Sequence, residues 1–236
     1  MSKKKIVFLT GSGVSAESGI KTFRDSDGLW ENYKIEEVAS INAWYENPKL
    51  VLDFYNMRRK DAANTMPNNA HKTIANLEKY FDVHIITQNV DDLHERAGSS
   101  KVLHLHGQLN KMRSVKNSEN LFDYNKNLKI GDLAPDGGQL RPHIVWFGES
   151  VPEMENAANI VQEAEILVVI GTSLSVYPAA GLIQFAHSEC PIYIIDPKIP
   201  YLESTKQITP IEAKAVEGSK ILLNHLQKFI DEEINF

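Results

Sequence analysis

Short apolar runs and longer amphipathic stretches alternate along the chain. Ile6-Val7-Phe8-Leu9, Val83-His84-Ile85-Ile86, Val102-Leu103-His104-Leu105, Ile166 to Ile170 and Ile192 to Ile195 are nearly continuous in apolar character. Runs of this kind suit strands buried on both faces. Between them, Asn47-Pro48 offers a capping side chain and a proline for a first helical turn. Leu50, Val51, Phe54 and Met57 then keep helical spacing until Pro67. Residues 69–81 repeat the pattern with Ala70, Ile74, Leu77 and Phe81, and residues 153–165 and 217–231 read as helices too. Strands alternating with helices predict an α/β fold built on a parallel sheet with helices on both faces.

Two stretches break the alternation. Residues 21–80 hold no convincing strand and read as loop plus helices. Residues 110–140 are polar, with Asn117, Asn120, Asn125, Asn127, Gly131, Gly137 and Gly138. Both are expected to be insertions that form a smaller domain on a nucleotide-binding core. The expected boundaries are 1–30, 81–109 and 140–236 for a discontinuous Rossmann-type domain, and 31–80 with 110–139 for the small one.

Composition narrows the classes. The chain has 236 residues, 42% apolar and 24% charged, the balance of an ordinary globular protein. Its longest apolar runs are about five residues, against the roughly 20 that a membrane helix needs. Lys3-Lys4-Lys5 before Ile6 resembles the charged start of a signal peptide. The apolar stretch is too short and runs into glycines, so it reads as a first strand of a cytoplasmic protein. With 25 Lys and Arg against 31 Asp and Glu, the net charge is −6. That predicts neither a nucleic-acid nor a membrane partner. A single cysteine, Cys190, leaves no internal disulfide and no cysteine-rich metal cluster.

Directly after the first expected strand, Gly11-Ser12-Gly13-Val14-Ser15-Ala16 fits G-x-G-x-x-G/A. Glycines there let backbone approach a pyrophosphate at a helix N-terminus. A tight strand-to-helix turn without a ligand has the same appearance. The dehydrogenase version of this motif needs a second strand ending in an acidic residue about 20 residues on. Here that region is Phe23-Arg24-Asp25-Ser26-Asp27-Gly28-Leu29-Trp30, with no strand before it. A dinucleotide bound at this turn would be completed by a site unlike that of a hydride-transfer enzyme.

The residues resemble those of the sirtuins. Gly11 to Ile20 followed by Thr22-Phe23-Arg24 is similar to the NAD-binding segment of that family. Thr87-Gln88-Asn89-Val90-Asp91-Asp92-Leu93-His94 with Ala97-Gly98 is similar to its second motif, and His104-Leu105-His106-Gly107 to its catalytic motif. Val145-Trp146-Phe147-Gly148-Glu149, and Gly171-Thr172-Ser173 with Val176 and Pro178, resemble the later ones. The blocks stand in family order over most of residues 5–200. The resemblance implies a Rossmann-type large domain and a small domain, with NAD and an acyl-lysine peptide meeting between them. It implies removal of an acyl group from lysine with consumption of NAD, giving nicotinamide, free lysine and O-acyl-ADP-ribose.

By the same resemblance, His106 is the general base, work that suits a histidine titrating near neutrality. A plain strand histidine, or a metal held by His104 and His106, are the other readings. Asn89 would orient the nicotinamide ribose and a water, and Asp91 the carboxamide; Asp91 alone could instead cap a helix from Asp92. Gly11, Ser12, Gly13, Ser15, Ala16, Gln88, Val90, Gly171, Thr172 and Ser173 complete the expected cofactor contacts. Arg24 would approach the phosphates or ribose, and Phe23 would cover the reacting face, with Trp30 beside them. Phe23 and Arg24 could also be ordinary loop residues. Asp196, where the family often has Asn, and Ala215 are expected near the adenosine. Val145, Trp146, Phe147, Gly148 and Val176 would flank a substrate peptide added as a strand between residues 145–148 and 174–177, a mode that reads backbone more than sequence.

Two departures stand out. Most sirtuins carry two cysteine pairs between the catalytic motif and an Arg-Pro-His segment, binding a structural zinc. Here the interval from Gly107 to Arg141 has none, so no zinc is expected. Phe54-Tyr55-Asn56-Met57-Arg58-Arg59 resembles the segment of sirtuins that prefer succinyl- and malonyl-lysine. Tyr55 and Arg58, three apart on an expected helix, share a face. A guanidinium takes a carboxylate bidentately and a phenol adds a donor. An exposed basic helix with a core tyrosine is the alternative, since Arg59 and Lys60 follow. The expectation is an NAD-dependent desuccinylase and demalonylase with some deacetylase activity. A mono-ADP-ribosyltransferase, a non-catalytic NAD sensor and a nicotinamide dehydrogenase remain as alternatives.

Overall fold

The structure, a computed structural model, describes residues 3–21, 29–30, 33–124, 126–199 and 207–234. The chain opens with β1 (Lys5–Thr10) and the short helix α1 (Gly13–Ala16), then a two-residue antiparallel pair, β2 (Leu29–Trp30) and β3 (Tyr33–Lys34). Helices α2 (Ile35–Val38), α3 (Ile41–Glu46), α4 (Pro48–Asn64) and α5 (Asn69–Asn76) follow. Next come β4 (Asp82–Thr87), α6 (Leu93–Arg96), β5 (Val102–His104), β6 (Gly107–Ser114), β7 (Leu121–Asp123) and β8 (Leu140–Ile144). The chain closes with α7 (Met154–Gln162), β9 (Ile166–Ile170), β10 (Ile192–Ile195), β11 (Ile208–Ile211) and α8 (Ala215–Ile234).

Six strands form one parallel sheet in the order β11-β10-β9-β1-β4-β5. Its strands are buried on both faces because side chains alternate between two cores. Ile6, Phe8, Ile85, Val168 and Ile195 point into one core with α5 and α8. Val7, Leu9, Ile86, Val169 and Ile194 point into the other, with α7. From β1 the chain builds outward through β4 and β5, then returns to build β9, β10 and β11 on the other side. Strand order therefore reverses between β1 and β9, and a crevice at the carboxyl ends of such strands is where α/β sheets bind ligands.

The expected helices and five expected strands are present; most ends fall within three residues of expectation, and the helix expected over 69–81 ends as α5 at Asn76. α4 starts as the sequence suggests: Asn47 Oδ1 accepts from Leu50 N at 3.1 Å, with Pro48 in the first turn. Two features depart from expectation. The segment 69–81, placed by sequence in the smaller unit, packs Ala70, Ile74, Leu77 and Phe81 into the first core of the sheet. Its apolar stripe meets α8, which the local sequence cannot reveal. The stretch 110–140, for which the sequence suggested no strand, supplies most of an antiparallel sheet in the order β7-β6-β8. With α3 and α4 it encloses a third core around Trp44, Phe54, Tyr55, Met112 and Trp146.

Candidate active site

Gly11 and Gly13 follow β1, and Gly171 follows β9 on the neighbouring strand. Gly13 N donates to Gly171 O at 2.8 Å, and Gly11 N to Ile170 O at 3.1 Å. A Cβ on Gly13 would stand 2.6 Å from Gly171 Cα, and one on Gly171, where φ is +67°, 2.3 Å from Val14 N. Each glycine thus makes room for the other turn. Ser12 and Ala16 stand beside them with Ser12 half-buried and Ala16 exposed, while Ser15 is buried.

The loop after β4 carries the second set. Thr87 Oγ1 accepts from the Asn89 amide at 3.0 Å and from Thr10 Oγ1 at 2.8 Å. Asn89 Nδ2 donates to Ser15 Oγ at 3.1 Å, and Ser15 Oγ donates to Asp91 Oδ2 at 3.3 Å. Asp91 Oδ1 also accepts from Leu93 N at 3.2 Å, so its capping role and its place in the site coexist. Burial pushes the Asp91 carboxyl up, against the Leu93 amide, His104 and Ser15, which lower it. Gln88 Nε2 reaches across to Thr172 Oγ1 at 3.1 Å, tying this loop to the end of β9. Val90 packs against the third core.

His106 follows β5 and is half-buried. Its Nδ1 lies 3.1 Å from the Gln88 carbonyl. A carbonyl only accepts, so Nδ1 carries the hydrogen and Nε2 the lone pair in the neutral ring. Burial lowers its pKa, with the Gln88 carbonyl acting in the opposite sense. At neutral pH His106 is a base with a defined tautomer. His104 is built differently: Nδ1 lies 3.0 Å from the Asn89 carbonyl and Nε2 2.7 Å from Glu95 Oε1. Both nitrogens are committed, which removes the reading of a metal shared by His104 and His106.

Around the end of β9, Thr172 Oγ1 accepts from Leu174 N at 3.2 Å, and Ser173 Oγ lies 2.6 Å from Ser175 Oγ. Asp196 follows β10, is buried, and accepts from Lys198 N at 3.0 Å. Ala215 opens α8 at the edge of the first core. Phe23 and Arg24, with Thr22, lie outside the described residues, as does the side chain of Trp30.

Of the residues expected to meet substrate, Tyr55 and Arg58 are both buried, at 1% and 7% exposure. Arg58 and Asp91 line one cavity of about 100 Å³ with Gly19, Ile20, Lys21 and Leu109. Tyr55 stands in the third core with its ring 6.0 Å from Trp146. Burial pushes the Tyr55 phenol up, so it stays a hydroxyl donor. Trp146 is buried, whereas Phe147 is 50% exposed. Phe147 N donates to Ala39 O at 2.9 Å and its carbonyl accepts from Ile41 N at 3.0 Å. Those groups are taken; exposed Gly148 (φ +91°) follows them, and Val176, after β9, is half-buried. Val145 N is held by the His106 carbonyl at 2.9 Å.

The Sir2 family profile matches residues 11–178, from the first glycine turn to the segment after β9. The chain belongs to the Sir2 family. The NAD-dependent protein deacylase of Helicobacter pylori (strain ATCC 700392 / 26695) is 53% identical over 94% of this chain and 97% of its own length. That of Bacteroides thetaiotaomicron is 50% identical over 91% and 94%. Among solved structures, a Sir2 homologue in complex with NAD superposes with a TM-score of 0.84 at 40% identity, covering 97% of this chain and 91% of the other. A Sir2–p53 peptide–NAD⁺ complex superposes at 0.78 with 28% identity, over 96% and 95%.

The strand ends of this Sir2 protein fit NAD: glycine backbone at Gly11, Gly13 and Gly171 meets buried polar side chains at Ser15, Asn89, Asp91 and Asp196. Its small module does not fit zinc. It has no cysteine, and no three His, Cys, Asp or Glu groups gather as metal ligands among the described residues. Ser114 Oγ instead donates to Asp136 Oδ1 at 2.8 Å, which also accepts from Gly138 N at 2.8 Å. Sequence reasoning missed how α4 is fastened to that module. Asn56 pairs both ways with the Leu128 backbone, at 2.9 and 2.8 Å, and Arg59 Nε donates to Leu109 O at 2.8 Å. Arg59 is a structural tie rather than part of an exposed basic face. Arg141 was missed as well: it grips Glu149 with both terminal nitrogens, at 2.8 and 2.9 Å, and stacks 3.5 Å over Trp146.

Proposed function

We propose that this Sir2 protein is an NAD-dependent protein-lysine deacylase that favours succinyl and malonyl groups over acetyl. The observation carrying the specificity is the shared cavity: Arg58, from α4, lines the same space as Asp91, from the loop after β4. When bound, NAD supplies a ribose carbon that accepts the acyl oxygen as nicotinamide leaves. The chain's own groups position and deprotonate. His106 Nε2 is free to take a proton because Nδ1 is committed to Gln88 O. Asn89 is fixed by Thr87 and Ser15, which aims its side chain before substrate arrives.

Arg58 is the buried cation of the acyl pocket, which Lys21, Asp61 and Asp91 also line. A carboxylate brought into a mostly apolar channel is costly unless paired, and a buried guanidinium answers that cost with charge-assisted hydrogen bonds. An acetyl group gains nothing from it. The peptide adds as a strand between Gly148 and Val176. Arg58→Met, assayed on matched acetyl, malonyl and succinyl peptides, should lose on the order of a hundredfold in kcat/KM for the acidic acyl groups, about 3 kcal/mol. Deacetylation should stay within about threefold. Equal loss on all three peptides refutes the specificity. Mass spectrometry of the products checks the reaction itself: O-acyl-ADP-ribose supports deacylation, ADP-ribosylated protein refutes it.

A further inference from the structure

Two histidines at the end of β5 grip successive carbonyls of one loop: His106 holds Gln88 O and His104 holds Asn89 O, both through Nδ1. They differ at the other nitrogen. His106 Nε2 keeps its lone pair for chemistry. His104 Nε2 faces Glu95 Oε1 from α6 at 2.7 Å, a second acceptor. Donating at both nitrogens requires the imidazolium, and the ring is well shielded, with 6% of the side chain exposed. Burial works against that charge, but Glu95, the Asn89 carbonyl and Asp91 together push the His104 pKa up. Neighbouring imidazoles driven in opposite directions mark a division of labour.

We propose that His104 is a positioning residue for the deacylation reaction: its two N–H groups tie the Asn89 peptide to Glu95 and so hold Asn89 in register with His106. Asn89 is then fixed at three points. Its amide goes to Thr87, its side chain to Ser15 and its carbonyl to His104. The proposal rests on the deacylase reading above.

The clasp has a failure mode that sets its test. Among the described residues, the charged or titratable groups facing His104 are Glu95 and His94 on α6, Asp91 in the loop after β4, and His143 on β8. His94 and His143 are driven down by burial and are neutral above pH 7. When His104 loses a proton, the one that remains stays on Nε2, where the Glu95 carboxylate makes the stronger, charge-assisted bond. The Nδ1 lone pair then confronts the Asn89 carbonyl 3.0 Å away. Two acceptors repel, and the loop must move. Turnover therefore falls as pH rises through the raised pKa of His104. In Glu95→Gln the amide can donate to Nε2, so neutral His104 keeps its Nδ1 hydrogen on Asn89.

The experiment is nicotinamide release by the full chain with saturating NAD and acyl peptide, from about pH 6 to 10. Wild type should lose activity on the alkaline side. Glu95→Gln should stay within about threefold of wild type near pH 7 and show no alkaline loss. His104→Phe should lose about tenfold or more in kcat near pH 7, with the KM for NAD changed less, and His104→Gln should recover part of it. The same alkaline fall in Glu95→Gln as in wild type, or no fall in wild type, overturns the proposal. So does wild-type turnover by His104→Phe. Should that variant fail to fold, the Glu95→Gln profile decides. A wild type inactive on every acyl peptide would overturn the deacylase reading and this proposal with it. An active wild type with an unchanged Glu95→Gln profile overturns the proposal alone.

Discussion

Acid should destabilise the protein through His71. That residue lies on α5 at 0% exposure, its Nε2 3.4 Å from Ser15 Oγ and its ring 4.9 Å from that of His94 at 63°. Ser15 spends its hydrogen on Asp91, so His71 donates from Nε2 and is neutral. Burial pushes its pKa down to about 4 from an ordinary 6.5. The folded value is below the unfolded one, so the unfolded chain binds more protons between those limits. Stability is fully present above about pH 6.5 and is lost as pH falls toward 4. At pH 5 the ratio of binding polynomials is about 1.5 log units, or about 2 kcal/mol; the whole window is worth about 3 kcal/mol. That is a large share of the roughly 5–15 kcal/mol of an ordinary domain. Urea unfolding of wild type and His71→Gln at pH 7.5 and pH 5 measures it. The variant's stability should fall about 2 kcal/mol less between the two pH values. A stability difference between the proteins that is the same at both pH values would refute the reasoning.

Three further perturbations follow from named contacts. Gly107, next to His106, sits at φ +82°, and a Cβ there would lie 1.9 Å from the His143 carbonyl. Gly107→Ala should separate β6 from β8 and abolish most turnover, measured beside an unfolding curve that shows whether folding survives. Dialysis against a chelator should leave the thermal midpoint unchanged, whereas Asp136→Ala should lower it and speed hydrogen exchange at the Gly138 amide. Glu149→Gln breaks a bidentate pair with buried Arg141 and should cost about 3 kcal/mol in urea unfolding. It should also raise the KM for peptide, because Glu149 Oε2 anchors the Trp146 amide at 2.9 Å.

The central sheet was legible because its strands are buried on both faces and so read as unbroken apolar runs. β11 was not: Pro210 sits in it, opposite Ile194, and only an edge strand tolerates proline, which no local pattern reveals. β6 and β8 were equally hidden, since they pair over a long intervening stretch and carry polar residues, Arg113, Ser114 and Arg141, that the fold nonetheless buries. The site was legible as motifs, but motifs name residues without saying what faces them. The sequence spacing of His104 and His106 is the same whether or not they share a metal; Glu95 and the two carbonyls, which occupy three of the four ring nitrogens, argue against one. Tyr55 and Arg58 share a helix as expected, yet Arg58 lines the cavity while Tyr55 packs beside Trp146.

The contact between the two glycine turns has a consequence for reading relatives of this chain. The halves of the sheet, β1-β4-β5 and β9-β10-β11, are hydrogen-bonded to each other along β1 and β9, and that seam ends where Gly11, Gly13 and Gly171 touch. A side chain at any of the three would part the halves before any ligand was consulted. Selection for folding alone is enough to hold them. A duplicated copy drifting away from catalysis should therefore keep its glycines long after it has exchanged Asn89 or His106, and the intact turn would be a fossil of the architecture rather than a sign of a working enzyme.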